Sequence, residues 1–442
     1  MSRFPHTLLI ILMFIALAGV AAYLLPTGEY ERTTDAGSGR EVVVPGSYHQ
    51  VQATPPSPFA ILVGIPRGIA AGVEVIVSIF IAGACFYVVE KTGALRQGIL
   101  LITTKLNNRE ELTLILTGLF FLMGGTLEGM EEEIIPLMPV LLMLTRRLGY
   151  DAFVAVAVSY GSAEIGASFS PFNPFGAILA QKIAQVPLLS RAPFMLAVLI
   201  VVFAAWMILI IRYGRAHRIA KEDTNGENPD VSPKHRIILV MVVITFVVLI
   251  YGMTYWGWGF NELSAEFFIL AIAAGLIGGL GFNGTSVAFV EGLREMTFAS
   301  LIVGFAHAIP LVLQDGKVLD TIVYGLFVPM EKLTPNLSAV GMMLSQSILH
   351  VVIPSYTGQA ALTIPILVPL SDLIGMARQV CVMAFQYGAI LMNIVSPTNG
   401  ALMAIIALSG IRYDQWLAFV VKRVVWICGI GAGALILANL LR

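Results

Sequence analysis

Ser170-Pro171-Phe172-Asn173 and Ser396-Pro397-Thr398-Asn399 are one broken-helix phrase written twice, 226 residues apart. Each lies inside an apolar run, and each joins a proline to small hydrogen-bonding residues that interrupt a helix. Extending the comparison outward, 139–173 aligns with 365–399 without a gap. The identities are Pro139/Pro365, Leu141/Leu367, Leu144/Leu370, Gly149/Gly375, Val154/Val380, Val156/Val382, Ala163/Ala389, Ser170/Ser396, Pro171/Pro397 and Asn173/Asn399. Roughly three matches are expected by chance in so biased a composition. The Pro, Gly, Ser and Asn matches weigh most, because they mark backbone breaks at equal spacing.

The surroundings are apolar. Hydrophobic residues make up 57% of 442 positions and charged residues 12%, about half the charge of a soluble domain. Runs long enough to span a bilayer recur along the chain. A net charge of -1 offers no basic face, so nucleic acid is not an expected partner. The first run, 8–25, has Arg3 before it and resembles a signal peptide. Its length and the equal apolarity downstream favour an uncleaved helix. Cys85, Cys381 and Cys428 sit in apolar stretches and read as packing residues, without disulfide or metal site.

A hairpin is expected before each break. Gly129-Met130-Glu131-Glu132-Glu133 separates 112–125 from 134–144, and Pro354-Ser355-Tyr356-Thr357-Gly358-Gln359 follows 337–353. Further spans are expected near 69–89, 192–211, 237–255, 265–281 and 299–313, with an amphipathic piece at 286–296. The stretch 212–236 holds Arg212, Arg215, Arg218, Lys221, Lys234 and Arg236 and belongs in the cytoplasm by the positive-inside rule. The first hairpin then enters from the cytoplasm and the second from outside. The polar stretch 27–58 lies in water outside.

The fold class is therefore an all-α polytopic membrane protein with two inverted-topology repeats. Each repeat carries a re-entrant helical hairpin and a broken transmembrane helix. The expected divisions are a first helix at 1–26, an extracytoplasmic loop at 27–56, a first repeat at 57–211, a cytoplasmic linker at 212–236 and a second repeat at 237–442. Inverted repeats with broken helices mark alternating-access carriers.

Unwound backbone at membrane depth persists only where protein or water supplies partners. The breaks therefore point to one shared substrate and ion cavity. Its expected lining is Gly129, Glu131, Glu132, Glu133, Ser170, Asn173, Ser355, Thr357, Gly358, Gln359, Ser396, Thr398 and Asn399. Half-helix N-termini suit a carboxylate, and Ser170, Asn173, Thr398 and Asn399 suit Na⁺. No cofactor is expected beyond Na⁺ or H⁺ as coupling ion. The glutamates would meet a cation, and at roughly 100° per residue they cannot all face one cavity. The plainer readings are a solvated hairpin tip and Ser or Thr hydroxyls bonded back to their own helices. Glu164, His307, His350, Gln386 and Asn393 are further intramembrane polar groups. The sequence lacks zinc, nucleophile-elbow and P-loop signatures, which argues against an enzyme or primary pump and leaves a channel as the rival.

With these residues in place, the chain resembles the YfcC/DcuC-type carriers of the ion-transporter superfamily, described as C4-dicarboxylate anaerobic carriers or basic amino-acid antiporters. The resemblance rests on Gly-Glu-Tyr-Glu-Arg at 28–32, Val-Val-Val-Pro-Gly-Ser-Tyr-His at 42–49, Gly129 to Glu133, Asn173-Pro174-Phe175, Gly358-Gln359-Ala360-Ala361-Leu362, Phe385-Gln386-Tyr387-Gly388 and Ser396-Pro397-Thr398-Asn399-Gly400. The resemblance implies a secondary transporter, here expected in the bacterial inner membrane with its N-terminus cytoplasmic by the positive-inside rule, moving a small amino acid or carboxylate with Na⁺ or H⁺ or by exchange. It also implies an elevator-like mechanism and a homodimer. Dicarboxylate symporters of the superfamily carry Ser-Asn-Thr at both tips. The Met-Glu-Glu-Glu and Ser-Tyr-Thr-Gly found here point instead to a substrate with a cationic group.

Overall fold

The computed structural model describes residues 5–34, 41–105, 109–221, 232–327, 329–330 and 333–441. Arg3, 35–40 of the expected outer loop, 222–231 of the expected linker and Lys332 lie outside the described residues.

In chain order the helices are α1 Thr7–Leu24, α2 Pro58–Ala71, α3 Val73–Lys91, α4 Ala94–Lys105, α5 Glu110–Glu128, α6 Met138–Arg147, α7 Ala152–Val156, α8 Ser162–Phe169, α9 Leu179–Ile183, α10 Ala192–Ala216, α11 Pro233–Tyr251, α12 Phe260–Ile277, α13 Gly281–Ala306, α14 Ala308–Asp315, α15 Leu319–Phe327, α16 Pro335–Val352, α17 Tyr356–Leu373, α18 Arg378–Ala389, α19 Gly400–Leu408 and α20 Tyr413–Leu440. Among the described residues, eight helical stretches are long and apolar enough to cross a membrane.

Three expectations need correction. The amphipathic piece at 286–296 and the span at 299–313 are not separate. One helix, α13, covers 286–296 and runs on without interruption to Ala306, and α14 continues from Ala308 after His307, since nothing in 286–300 lacks an N–H or forces a turn. The helix expected at 69–89 starts at Val73, and α2 precedes it across Gly72. The outer loop is not simply solvated, nor is the chain purely α. Strands β1 Gly28–Glu29, β2 Arg32–Thr34, β3 Glu41–Val43 and β4 His49–Gln50 pair antiparallel as β1–β4 and β2–β3.

These strands are fastened onto the helices. Asp320 accepts the Tyr30 N–H at 2.9 Å and both Arg32 contacts at 3.0 Å. Glu29 pairs with Lys317, and that hydrogen bond holds the Glu29 carboxyl below its ordinary value. A carboxyl whose folded value is lowered stabilises above its unfolded value, and the stabilisation fades as pH falls through the folded one. The pair is partly exposed, so its worth is below about 1 kcal/mol. Limited proteolysis within 28–50 is expected to be faster at pH 4 than at pH 7, and Lys317→Ala should remove most of that difference.

The element bounds repeat. Helices α7 and α18 begin at Ala152 and Arg378, and the segments after the breaks begin at Pro174 and Gly400. Both pairs keep the 226-residue offset. The first hairpin is α5, a left-handed cap at Gly129 (φ 69°), the 3-10 turn Glu132–Leu137 and α6. Its two feet are tied by Arg218, which donates to the Leu148 carbonyl at 2.8 Å and pairs with Glu110. The second hairpin is α16 and α17. Asn336 at its first foot accepts from Asn439 at 2.6 Å, and Asp372 at its second binds Arg378. Arg378 also donates to the Ala184 carbonyl at 3.3 Å.

Helix α10 relates the two pairs of feet. Arg191, just before it, bonds the Ala438 carbonyl beside the second pair. Arg215 and Arg218, at and beyond its other end, pair with Glu111 and Glu110 at the first. The feet of the two hairpins are thus tied near opposite ends of α10. Their tips meet where the Tyr356 hydroxyl donates to the Gly129 carbonyl at 3.3 Å.

Candidate functional site

The site is built from the two broken helices and two tips. At the first break Ser170 turns its hydroxyl to the Thr126 carbonyl at 2.7 Å and accepts the N–H groups of Phe172 and Asn173 at 2.8 and 3.1 Å. Asn173 accepts the N–H groups of Phe175 and Gly176 at 2.9 and 2.8 Å and donates to the Gly125 carbonyl at 3.2 Å. At the second break Thr398 donates to the Val351 carbonyl at 2.8 Å and lies 2.7 Å from the Ser396 hydroxyl. Asn399 caps α19 by accepting the Leu402 N–H at 2.7 Å. Both breaks are held the same way: a hydroxyl anchors the unwound chain to the preceding hairpin, and an asparagine restarts the helix.

Carbonyls freed by irregular turns are also satisfied by protein. The Trp206 indole takes the Ala157 carbonyl at 3.0 Å, where a π turn loosens the helix. Trp416 and Tyr413 take those of Ile394 and Val395, both at 2.8 Å. Such partners fix the breaks rigidly.

Across the interface runs a buried polar chain. Asn399 Nδ2 donates to Glu131 Oε1 and to Asn393 Oδ1, the latter at 2.9 Å. Asn393 Nδ2 donates to Glu164 Oε2 at 3.0 Å. The Tyr160 hydroxyl reaches Asn399 Oδ1 at 3.2 Å, the Asn393 carbonyl at 3.4 Å and Glu131 Oε1 at 3.5 Å. Glu131 and Glu164 are 7% and 2% exposed, and among the described ion pairs neither has a basic partner.

Beside this chain lies a cavity of about 630 Å³. Glu128, Gly129, Glu131, Glu132 and Glu133 form one wall, and Ser355 to Gly358 and Thr398 to Ala401 another. His307, Trp258 and Gln314 also line it. Among the described residues, the lining contains no Lys or Arg.

A family model described as that of the DcuC family, the C4-dicarboxylate anaerobic carriers, matches residues 4–440. The chain belongs to the DcuC family. It is a multi-pass membrane transporter acting on small molecules. The Escherichia coli (strain K12) protein YfcC, named as a candidate basic amino acid antiporter, is 29% identical over 93% of this chain and 92% of its own. An uncharacterized Haemophilus influenzae protein is 27% identical over 87% of this chain and 79% of its own. The solved MtrF of Neisseria gonorrhoeae, described within a class of antimetabolite efflux pumps, is 16% identical, with coverage of 98% and 95% and a TM-score of 0.44.

In this DcuC-family carrier the expected site residues separate into groups. Gly129, Glu131, Glu132, Glu133, Ser355, Thr357, Gly358, Thr398 and Asn399 line the cavity. Ser170, Asn173 and Ser396 do not; they shape the breaks behind it. Gln359 is buried one layer away, between His350 at 2.9 Å and the Gln346 carbonyl at 2.8 Å. Of the three tip glutamates, Glu131 makes the bond to the other half, while Glu133 accepts the Glu131 N–H at 3.0 Å. Ser170, Asn173, Thr398 and Asn399 turn their side-chain oxygens to backbone groups and neighbouring hydroxyls. Tyr160 and Tyr356 were not singled out as ligands by sequence reasoning. Their only signal was position: Tyr160 lies four residues before Glu164, and Tyr356 sits in a tip.

Proposed function

We propose that the chain is a secondary active transporter of a small amino acid or carboxylate metabolite, a basic amino acid above all, working by exchange or symport with H⁺ or Na⁺. One observation carries this reading. Glu128, Glu131, Glu132 and Glu133 line one cavity together, and among the described residues no Lys or Arg joins them in the lining, where His307 is the one imidazole. At an effective dielectric near 20, any two ionised carboxylates brought within about 5 Å repel by about 3 kcal/mol. A dianion is disfavoured there and a cation is drawn in. The facing wall holds the first turns of α17 and α19, whose positive ends suit a carboxylate. An amino acid with a cationic side chain matches both walls.

The matched element bounds and the hairpin feet tied near opposite ends of α10 support two inverted repeats over 57–211 and 237–442. Elevator-type movement of the hairpin-bearing part, possession of a homodimeric scaffold and residence in a bacterial inner membrane belong to the same proposal. Arg215, Arg218 and Lys221 gathered at one end support a cytoplasmic face there, and with it a cytoplasmic N-terminus. The alternative is a C4-dicarboxylate carrier, in keeping with the family description, with the helix ends holding the anion. A passive channel is the third reading.

Purified protein in liposomes separates these. Labelled L-arginine should enter by counterflow against internal arginine, and succinate should neither enter nor compete. Succinate counterflow without arginine counterflow would favour the dicarboxylate reading. Equal flux with and without internal substrate or an ion gradient would mean a channel.

A further inference from the structure

We infer that His350 and Glu164 form a buried proton-binding pair, bridged by Asn393, that carries the coupling proton of the transport cycle. Hydrogen-bond polarity, fixed by backbone groups at both ends of the chain, leads there. At one end Gln359 Nε2 donates to the Gln346 carbonyl at 2.8 Å, which can only accept, so Gln359 Oε1 is the atom 2.9 Å from His350 Nδ1. At the other end Asn399 Oδ1 accepts the Leu402 N–H at 2.7 Å, so Asn399 Nδ2 is the donor 2.9 Å from Asn393 Oδ1. That makes Asn393 Oδ1 an acceptor, and the same oxygen faces His350 Nε2. Both ring nitrogens therefore face acceptors, and the ring is fully satisfied only with a proton on each. Asn393 turns its remaining group, Nδ2, to Glu164 at 3.0 Å. The imidazolium and its counter-charge sit one amide apart.

His350 and Glu164 are 0% and 2% exposed and do not line the cavity. A buried carboxylate without a cation is costly at membrane depth and marks a functional group. The other titratable groups turned on the pair are Glu131, Glu132 and Tyr160, with Tyr356 from α17. The 3-10 turn Ile390–Ile394 brings the Asn393 amide. The pair communicates with the cavity because Asn399, which lines it, binds Glu131 and Asn393 with one amide nitrogen. In transport the proton comes from water on one face and returns to water on the other while the cationic substrate moves oppositely. This role rests on the carrier reading above; the protonation of the pair does not.

The test is ¹⁵N NMR of histidine-labelled protein in liposomes. The His350 signal is assigned by its absence in H350N, or in H350Q should H350N fail to fold. In E164Q its titration midpoint is expected to fall by at least about one pH unit, roughly tenfold in proton affinity. N393L, which breaks the bridge and leaves both titratable groups, should move it the same way. An unmoved midpoint in both variants overturns the pair, as does a His350 ring that takes no second proton at any pH where the protein stays folded. In the transport arm, arginine uptake should rise with an imposed pH gradient in wild type and show no response to that gradient in E164Q. Wild-type uptake driven by Na⁺ and indifferent to pH overturns the coupling role. Failure of wild type to handle arginine at all counts against the substrate reading and leaves the NMR result to decide the pair.

Discussion

Asn399→Ala is expected to reduce counterflow at least about a hundredfold in protein that still folds. The side chain does three things at once: its oxygen caps α19 at the Leu402 N–H, and its nitrogen holds Glu131 and Asn393. Loss of a cap costs about 0.5–2 kcal/mol. A buried carboxylate deprived of its donor adds about 1–3 kcal/mol. Because the Glu131 bond joins the first hairpin tip to the second break, the loss falls on the state in which the two halves meet. About 2.8 kcal/mol in that state is a hundredfold. The matching substitution, Asn173→Ala, removes a cap of the same kind but no bond across the halves, so it should be milder. The measurement is counterflow at equal reconstituted protein, with size-exclusion profiles as the check on folding. Activity of Asn399→Ala within twofold of wild type would sink the shared-site account.

The largest effect on stability is expected at Gly125. A Cβ there would stand 1.9 Å from the Ala163 carbonyl oxygen and 2.6 Å from its carbon. The facing glycine, Gly166, has the Leu122 carbonyl oxygen 2.2 Å from a Cβ position. Helices α5 and α8 therefore touch backbone to backbone, as small residues allow in membrane helix pairs. Backbone cannot rotate aside like a side-chain tip, so Gly125→Val should cost about 3 kcal/mol or more, the upper end of what overpacking costs. Protein yield in a monodisperse peak should collapse, and Gly125→Ala should already lower the melting temperature. Gly433, with open space around its Cβ position, is the control: Gly433→Ala should be silent. A monodisperse Gly125→Val protein with unchanged melting would show that the helices can part cheaply.

Asn399 was legible because a Ser-Pro-x-Asn phrase repeated at matched spacing stands out against an apolar background. Gly125 was read only as the end of the apolar run 112–125; its contact with Ala163 depends on how two helices cross. The strands in 28–50 went unseen because each is two or three residues long, too short for an alternating pattern. The continuity of α13 was hidden because its polar and apolar stretches suggested two environments, while its backbone carries no interruption.

Sequence by itself determined the membrane residence, the order of hairpins and broken helices, and the list of polar residues placed at the breaks. Apolar length, proline and glycine act locally along the chain, so their effects can be read in one dimension. Only the tertiary structure decided which of those residues answer one another. Tyr160 and Asn399 are 239 positions apart, and Glu131 and Asn399 are 268 apart. No local pattern distinguishes Glu131 from Glu132 or Glu133. The direction of each hydrogen bond, and with it the pairing of His350 to Glu164 through Asn393, exists only once the two halves are packed together, because polarity is set by partners that the chain brings from both.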